Sequence, residues 1–213
     1  MKGSVSRGTG FRGLAEYLLL ADERKGPRPG AALIGGNMSG ATPRELAREF
    51  RVARELRPDV ARPVWHCSLT LPAGEELTEE RWQEVGRALL TKVGLDPDQH
   101  QHFMVRHKDT DHDHLHIGGS RIGLDGSVWL GKWEARRVIA ATQELEREFG
   151  LTLTPGLGDE RAEKKALSKG ELNMAARTGQ EPPRQRLQRL VDEAMADKPT
   201  ASELAERLVA VGV

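Results

Sequence analysis

The sequence predicts an α+β fold with a central, mostly antiparallel sheet flanked by helices and a small helical C-terminal extension. Three observations carry this. Short segments of alternating polarity and capped amphipathic helices follow one another along the chain before Pro155. Two apolar-bracketed segments, His100–His107 and His112–Ile122, are joined by the short acidic turn Lys108–Asp111, the pattern of an antiparallel pair. Beyond Pro155 the composition changes to charged residues and proline-bounded helical stretches.

Taken in order, an extended start at Val5 passes through Gly8-Thr9-Gly10 into a helix predicted over Phe11 to Ala21, with Leu14, Tyr17, Leu18 and Leu20 as its apolar side. Asp22 to Gly30 reads as a charged loop containing Gly-Pro-Arg-Pro-Gly. Ala31–Ile34 is a short strand ended by Gly35-Gly36-Asn37. The next helix has Thr42 as N-cap, Pro43 at its first position and Glu45 in its first turn, and it stops before Pro58. Pro63 to Leu71 alternates as a strand, and Thr78 caps a helix that ends at Gly94. Asp125-Gly126 marks a hairpin before a strand at Val128–Leu130. A helix from about Trp133 to Phe149 follows, with Gly150 past its end. Two further helices are expected at Arg184–Ala196 and Ala201–Val209. The organisation is therefore a domain over residues 1–157 and a charged linker with a helical extension over 158–213. The chain stops just after a helix, at Val211-Gly212-Val213, as the start of a longer C-terminal region would.

Composition excludes several classes. With 38% hydrophobic and 30% charged residues the chain has material for a core. No apolar run approaches the roughly 20 residues that cross a bilayer, so no membrane insertion is expected. The single cysteine, Cys67, excludes an internal disulfide and points to a reducing cytoplasm. Thirty-two basic residues balance thirty-two acidic ones, but residues 1–64 hold 12 Lys/Arg against 7 Asp/Glu, a net of +5, and ten of the twelve are arginine. Guanidinium forks match phosphate oxygens, so an arginine-rich N-terminal third suits a phosphate ligand; it also suits a solvated helix face.

Six of the seven histidines lie between positions 100 and 116. On a strand, His112, His114 and His116 share one face while Leu115 and Ile117 take the other, and His107 can turn back from the partner strand. Three converging neutral imidazoles form a divalent-metal site with open positions. His107, His114 and His116 are the preferred ligands; Asp109 and Asp111 are candidate alternatives or orienting partners, and His100 and His102 fall outside. Tyr17 is the only tyrosine. A phenol at that position is either a core residue of its helix or a nucleophile.

Phe11-Arg-Gly-Leu-Ala-Glu-Tyr17, Gly35-Gly36-Asn37-Met-Ser-Gly40, Pro63-Val-Trp-His66-Cys-Ser68 and His107-x-Asp109-Thr-Asp111-x-x-His114-Leu-His116 together resemble the conjugative relaxases, the plasmid mobilisation nucleases of the MobA/MobL type among the HUH endonucleases. The resemblance covers roughly residues 1–155. It implies that Tyr17 is the nucleophile of a single-strand transesterification at a transfer origin, that His107, His114 and His116 hold the metal, and that the strand is religated after transfer. It implies magnesium or manganese; three imidazoles by themselves favour manganese, cobalt, nickel or zinc. The implied partners are single-stranded or locally melted transfer-origin DNA, a relaxosome accessory protein and a coupling protein. Two positions depart from the family pattern: Ser120-Arg121 replaces a frequent Asn-Arg, and His66 stands where an acidic residue is common. His66 or His112 is the candidate base for the phenol. Arg7, Arg12, Arg121 and Lys132 are candidate DNA contacts, and Trp65 or Trp129 a candidate for base stacking. The rival readings are a metal-dependent nucleic-acid hydrolase using activated water and a non-catalytic DNA-binding module with a structural metal. A metal-free phosphoesterase with paired His-x-Ser/Thr motifs fails at His114-Leu-His116.

Overall fold

The structure is a computed structural model and describes all residues except 23–25, 157–166, 168, 198 and 213. It divides into two compact units, Met1–Asp159 and Glu160–Val213. The expected charged linker and the boundary at 157/158 fall largely outside the described residues.

The first unit is an α+β fold around a five-stranded sheet of order β1-β5-β7-β6-β4, antiparallel throughout. Its strands are β1 (Lys2–Gly8), β4 (Ala31–Gly36), β5 (Val64–Thr70), β6 (His100–His107) and β7 (His114–Gly123). Between the first two lie α1 (Phe11–Leu19) and a two-stranded ribbon of β2 (Leu20–Asp22) and β3 (Gly26–Pro27). The helix thus ends before the predicted Ala21, because Leu20 is already extended and opens the ribbon in the predicted loop. Val128–Leu130 makes a single bridge, Ile122 to Val128, rather than a strand.

Local signals place the remaining helices. In α2 (Pro43–Leu56) the Thr42 and Glu45 side chains each accept from the other's backbone N–H, closing a capping box. In α3 (Glu79–Val93) Thr78 accepts from the Arg81 N–H, and Gly94 closes the helix in the left-handed region at φ 80°. In α4 (Glu134–Glu148) Trp133 is the N-cap.

Period-two alternation divides the sheet between two layers. Trp65, Cys67 and Leu69 of β5 and Leu115 and Ile117 of β7 face α3 and α4, packing with Trp82, Val85, Leu89, Val138 and Leu145. The opposite face carries Phe103 and Val105 of β6 beneath α1 and α2, with Phe11, Ala15, Leu18, Leu46 and Phe50. Gly118 permits this second layer to close: a Cβ there would lie 2.5 Å from a Phe103 ring carbon and 3.0 Å from Leu14. The buried side of α1 is Phe11, Ala15 and Leu18, and Tyr17 is 60% exposed, so the assignment of Tyr17 to the apolar side does not hold.

The second unit consists of α5 (Lys169–Thr178), α6 (Pro183–Met195) and α7 (Ala201–Ala210). The last is closed by a Thr200/Glu203 capping box. Helix α5 lies outside the helices expected from the sequence, because Leu172 and Met174 are its only large apolar residues and make no helical period.

One buried ion pair governs the turn between β6 and β7. Asp113 accepts from Nε and Nη2 of Arg106, both at 2.8 Å, from the Trp82 indole at 2.9 Å and from the Leu77 N–H at 3.0 Å. Both partners are nearly inaccessible, at 6% exposure. Removing one member of such a pair strands the other charge, at a cost of about 3–5 kcal/mol. Asp113→Ala is therefore expected to lower unfolding stability by that amount in urea titration, whereas Asp59→Ala, which removes an exposed pair with Arg57, leaves it nearly unchanged.

Candidate metal centre

The β6–β7 register sets His107 directly opposite His114. His116, two residues further along β7, returns to the same face opposite Val105. One nitrogen from each of His107, His114 and His116 lies within 4.8 Å of the other two. The three predicted ligands are thus brought together. His112 is not part of the group, since its Nδ1 faces the Leu71 carbonyl at 3.1 Å. His100 and His102 are buried elsewhere, against the carbonyls of Ser120 and His100.

Each imidazole is oriented through its other nitrogen. His107 Nε2 donates to the Leu18 carbonyl at 2.7 Å, which ties the metal strand to the end of α1. His114 Nδ1 donates to the His112 carbonyl at 2.9 Å. His116 Nδ1 lies 3.0 Å from His66 Nε2, and His66 Nδ1 lies 3.3 Å from the Ser6 hydroxyl. A ligating imidazole is neutral with a lone pair on the ligating nitrogen. Burial, followed by repulsion from His107, His66 and His114, pushes His116 down to about 2. Burial and the neighbouring His107 push His66 down to about 4. His107 is also lowered, chiefly by burial. A set of pre-oriented imidazoles, with His107 and His116 kept uncharged by burial, fits a divalent cation, and the partners of the remaining ring nitrogens hold it ready.

Tyr17 sits beside this centre. Its ring meets the His66 ring edge-on at 6.4 Å between centroids. Both border an open cleft of about 450 Å³ that Ser6, Arg7, Leu14 and Val64 also line. Arg28, not singled out in the sequence, links nucleophile candidate and metal centre. Its guanidinium lies 5.8 Å from the Tyr17 ring centre, donates to the Tyr17 carbonyl at 3.3 Å and pairs with Asp109 at 2.9 Å. Asp109 in turn stands 3.5 Å from His114 Nε2. Asn37 is a clamp rather than a site residue: its amide donates to the Pro97 and His100 carbonyls and its oxygen accepts from the His102 N–H.

Of the expected DNA contacts, Arg121 is turned inward, while Arg7 is partly exposed in the cleft wall. Arg121 is 8% exposed and donates to the carbonyls of Trp129 and Arg62. Arg7 donates to the Leu130 and Gly131 carbonyls and pairs with Glu134. Trp65 and Trp129 are buried and packed edge-to-face at 5.7 Å, so neither presents a ring to a base. Arg12 and Lys132 are exposed, Arg12 in a pair with Glu16.

The family model of the relaxase MobA/VirD2-like nuclease domain matches residues 23–151, more than half of the chain and the whole histidine-bearing part of the sheet. The chain belongs to the MobA/VirD2-like relaxases. Membership implies a DNA-nicking enzyme that binds transfer-origin DNA. The match begins downstream of Tyr17, so the part played by this relaxase's tyrosine rests on geometry. Comparison with curated proteins finds no match. Among the described residues no helix is long and apolar enough to cross a membrane.

Because each histidine would supply one of three protein donors, His114→Ala and His116→Ala are each expected to abolish manganese binding in calorimetry with unchanged circular dichroism. His112→Ala is expected to bind manganese as the parent does.

Proposed function

We propose that this relaxase nicks one DNA strand by tyrosine transesterification and rejoins it by the reverse step. The observation that carries the reading is the exposed ring of Tyr17 in a cleft whose wall, His66, is hydrogen-bonded to the metal-centre residue His116. A divalent ion held by His107, His114 and His116 supplies charge neutralisation and alignment at the scissile phosphate. Manganese or magnesium is the expected ion.

The Tyr17 oxygen attacks the phosphorus, the bond to the 3′ oxygen breaks, and a 5′-phosphotyrosine and a free 3′-hydroxyl result. The phenol proton passes to solvent, which reaches Tyr17 directly, and the departing 3′ oxygen takes a proton from water. The ester is conserved, so the 3′-hydroxyl reseals the strand by attacking the phosphotyrosine, with no nucleotide triphosphate consumed. Arg28, between Tyr17 and Asp109, is the cation placed to offset charge as it builds on the phenolic and phosphoryl oxygens. All of these residues belong to the first unit. The single-stranded or melted origin, an accessory protein and a coupling protein complete the reading.

His66 takes a positioning role in this scheme instead of that of a base. For His116 to ligate through Nε2, its Nδ1 must carry the proton and donate to His66 Nε2. That bond occupies the only lone pair a neutral His66 has, and its Nδ1–H then points to Ser6. His66→Ala is expected to weaken manganese affinity about 10–100-fold, the usual effect of losing such a partner. His66→Gln, whose amide oxygen can accept the same proton, is expected to recover most of it in calorimetry. A pure base role predicts unchanged metal affinity in both variants.

The nucleophile is tested with Tyr17→Phe, which keeps the ring and removes the attacking oxygen. Wild type is expected to yield a DNA-linked peptide containing Tyr17 after incubation with origin-containing single strands, digestion and mass spectrometry. Tyr17→Phe is expected to give neither adduct nor nick while still binding DNA. Nicks with free 5′-phosphate ends from the variant would favour the hydrolase.

A further inference from the structure

Trp133 is built against two ordinary rules at once. Among the described residues it is the one non-glycine with positive φ, at 58°. Its indole is 77% exposed, whereas Trp65 and Trp82 are fully buried and Trp129 is 8% exposed. A left-handed residue at a helix N-terminus is filled at lower cost by glycine or asparagine, and an exposed indole forgoes the burial that normally favours tryptophan. Nothing in the packing of α4 calls for this side chain: the helix has no side-chain cap, and its buried positions begin at Val138. Strain held at an exposed aromatic points to a ligand.

The position is tied to the cleft. Arg7 lines the cleft with Ser6 and Tyr17, and the same guanidinium holds the carbonyls of Leu130 and Gly131 at 2.8 and 3.2 Å and the carboxylate of Glu134. Residues on both sides of Trp133 are thereby anchored to β1, while the indole stays free. Lys132 beside it is exposed, and Leu130 is 61% exposed. A flat apolar ring, an adjacent cation and a nearby phosphodiester cleft match one chemistry: a nucleobase with its phosphate.

We propose that Trp133 is a stacking platform for a base of the single strand that emerges from the Tyr17 cleft. The proposal rests on the relaxase reading above and adds to it a binding site outside the metal centre. Stacking accepts any base, since every base has a π face, so this contact grips the strand without reading its sequence. The phosphate beside the stacked base falls to Lys132.

The test uses the full chain, a random-sequence single-stranded DNA pool and an abasic strand of equal length. Since the other three tryptophans are buried, iodide-accessible emission comes mainly from Trp133. The DNA pool is expected to quench that emission by stacking; the abasic strand, which keeps its phosphates but has no bases, is expected to leave the emission intensity unchanged. Trp133→Ala is expected to weaken binding of the pool roughly fivefold to a hundredfold and leave abasic binding unchanged, with Trp133→Phe retaining most of the affinity. Trp133→Gly, which suits the backbone, is expected to hold or raise the melting temperature and still lose pool affinity as the alanine variant does. Unchanged pool affinity in the alanine and glycine variants, with the Tyr17 adduct still formed on origin DNA, would overturn the stacking site and leave the relaxase reading intact. Equal losses for pool and abasic strands would overturn it too, making Trp133 a structural residue. If wild type binds no single strand and forms no adduct, the relaxase reading itself fails.

Discussion

The buried pair of Arg106 and Asp113 is the constraint on which the rest of the site depends. Asp113 interrupts a run of histidines, and its carboxylate is drawn to the α3 side of the sheet by Arg106, the Trp82 indole and the Leu77 N–H. Strand alternation then forces its neighbour His114, and His116 beyond it, to the opposite side. Arg106 does the same for His107. A single charge pair on one face thus sets the register that brings three imidazoles together on the other, and a slip of one residue would scatter them.

The electrostatics of the two faces are correspondingly different. On the α3 side a full charge pair is buried and hydrogen-bonded. On the α1 side the buried groups are histidines held neutral by desolvation, His116 most strongly. These donors are oriented by the Leu18 and His112 carbonyls and by His66, with the Arg28 guanidinium adding to the positive potential around His107 and His116. Where a carboxylate would add negative charge beside His116, the His66 imidazole, held neutral by burial, adds none.

Much of this is legible in the sequence, for local reasons. Thr42 with Glu45, Thr78 and Gly94 announce their helix ends because caps are decided by the nearest few residues. The metal triad is legible because period two and a short turn suffice to align His107, His114 and His116. What escapes needs tertiary contacts. Arginine composition says nothing of direction, so Arg121 reads as a phosphate contact although buried carbonyls claim it. Tyr17 falls among leucines in the helical pattern, but the helix turns Phe11, Ala15 and Leu18 inward instead. Arg28 lies in what reads as a charged loop, and only the fold brings it to Tyr17 and Asp109. Trp65 and Trp129 read as stacking candidates ahead of Trp133, because exposure and a left-handed backbone leave no mark in composition.

Central to the account is that the sheet register builds one metal site from three oriented imidazoles beside an exposed tyrosine. Anomalous diffraction at the manganese edge, from crystals of the full chain soaked with manganese, tests this most directly. The account predicts one strong peak bounded by His107, His114 and His116, with His116 ligating through Nε2 and the His66 ring still hydrogen-bonded to its Nδ1. A peak coordinated by His66, or one held by His112 with Asp109 or Asp111 and lacking His116, would contradict it.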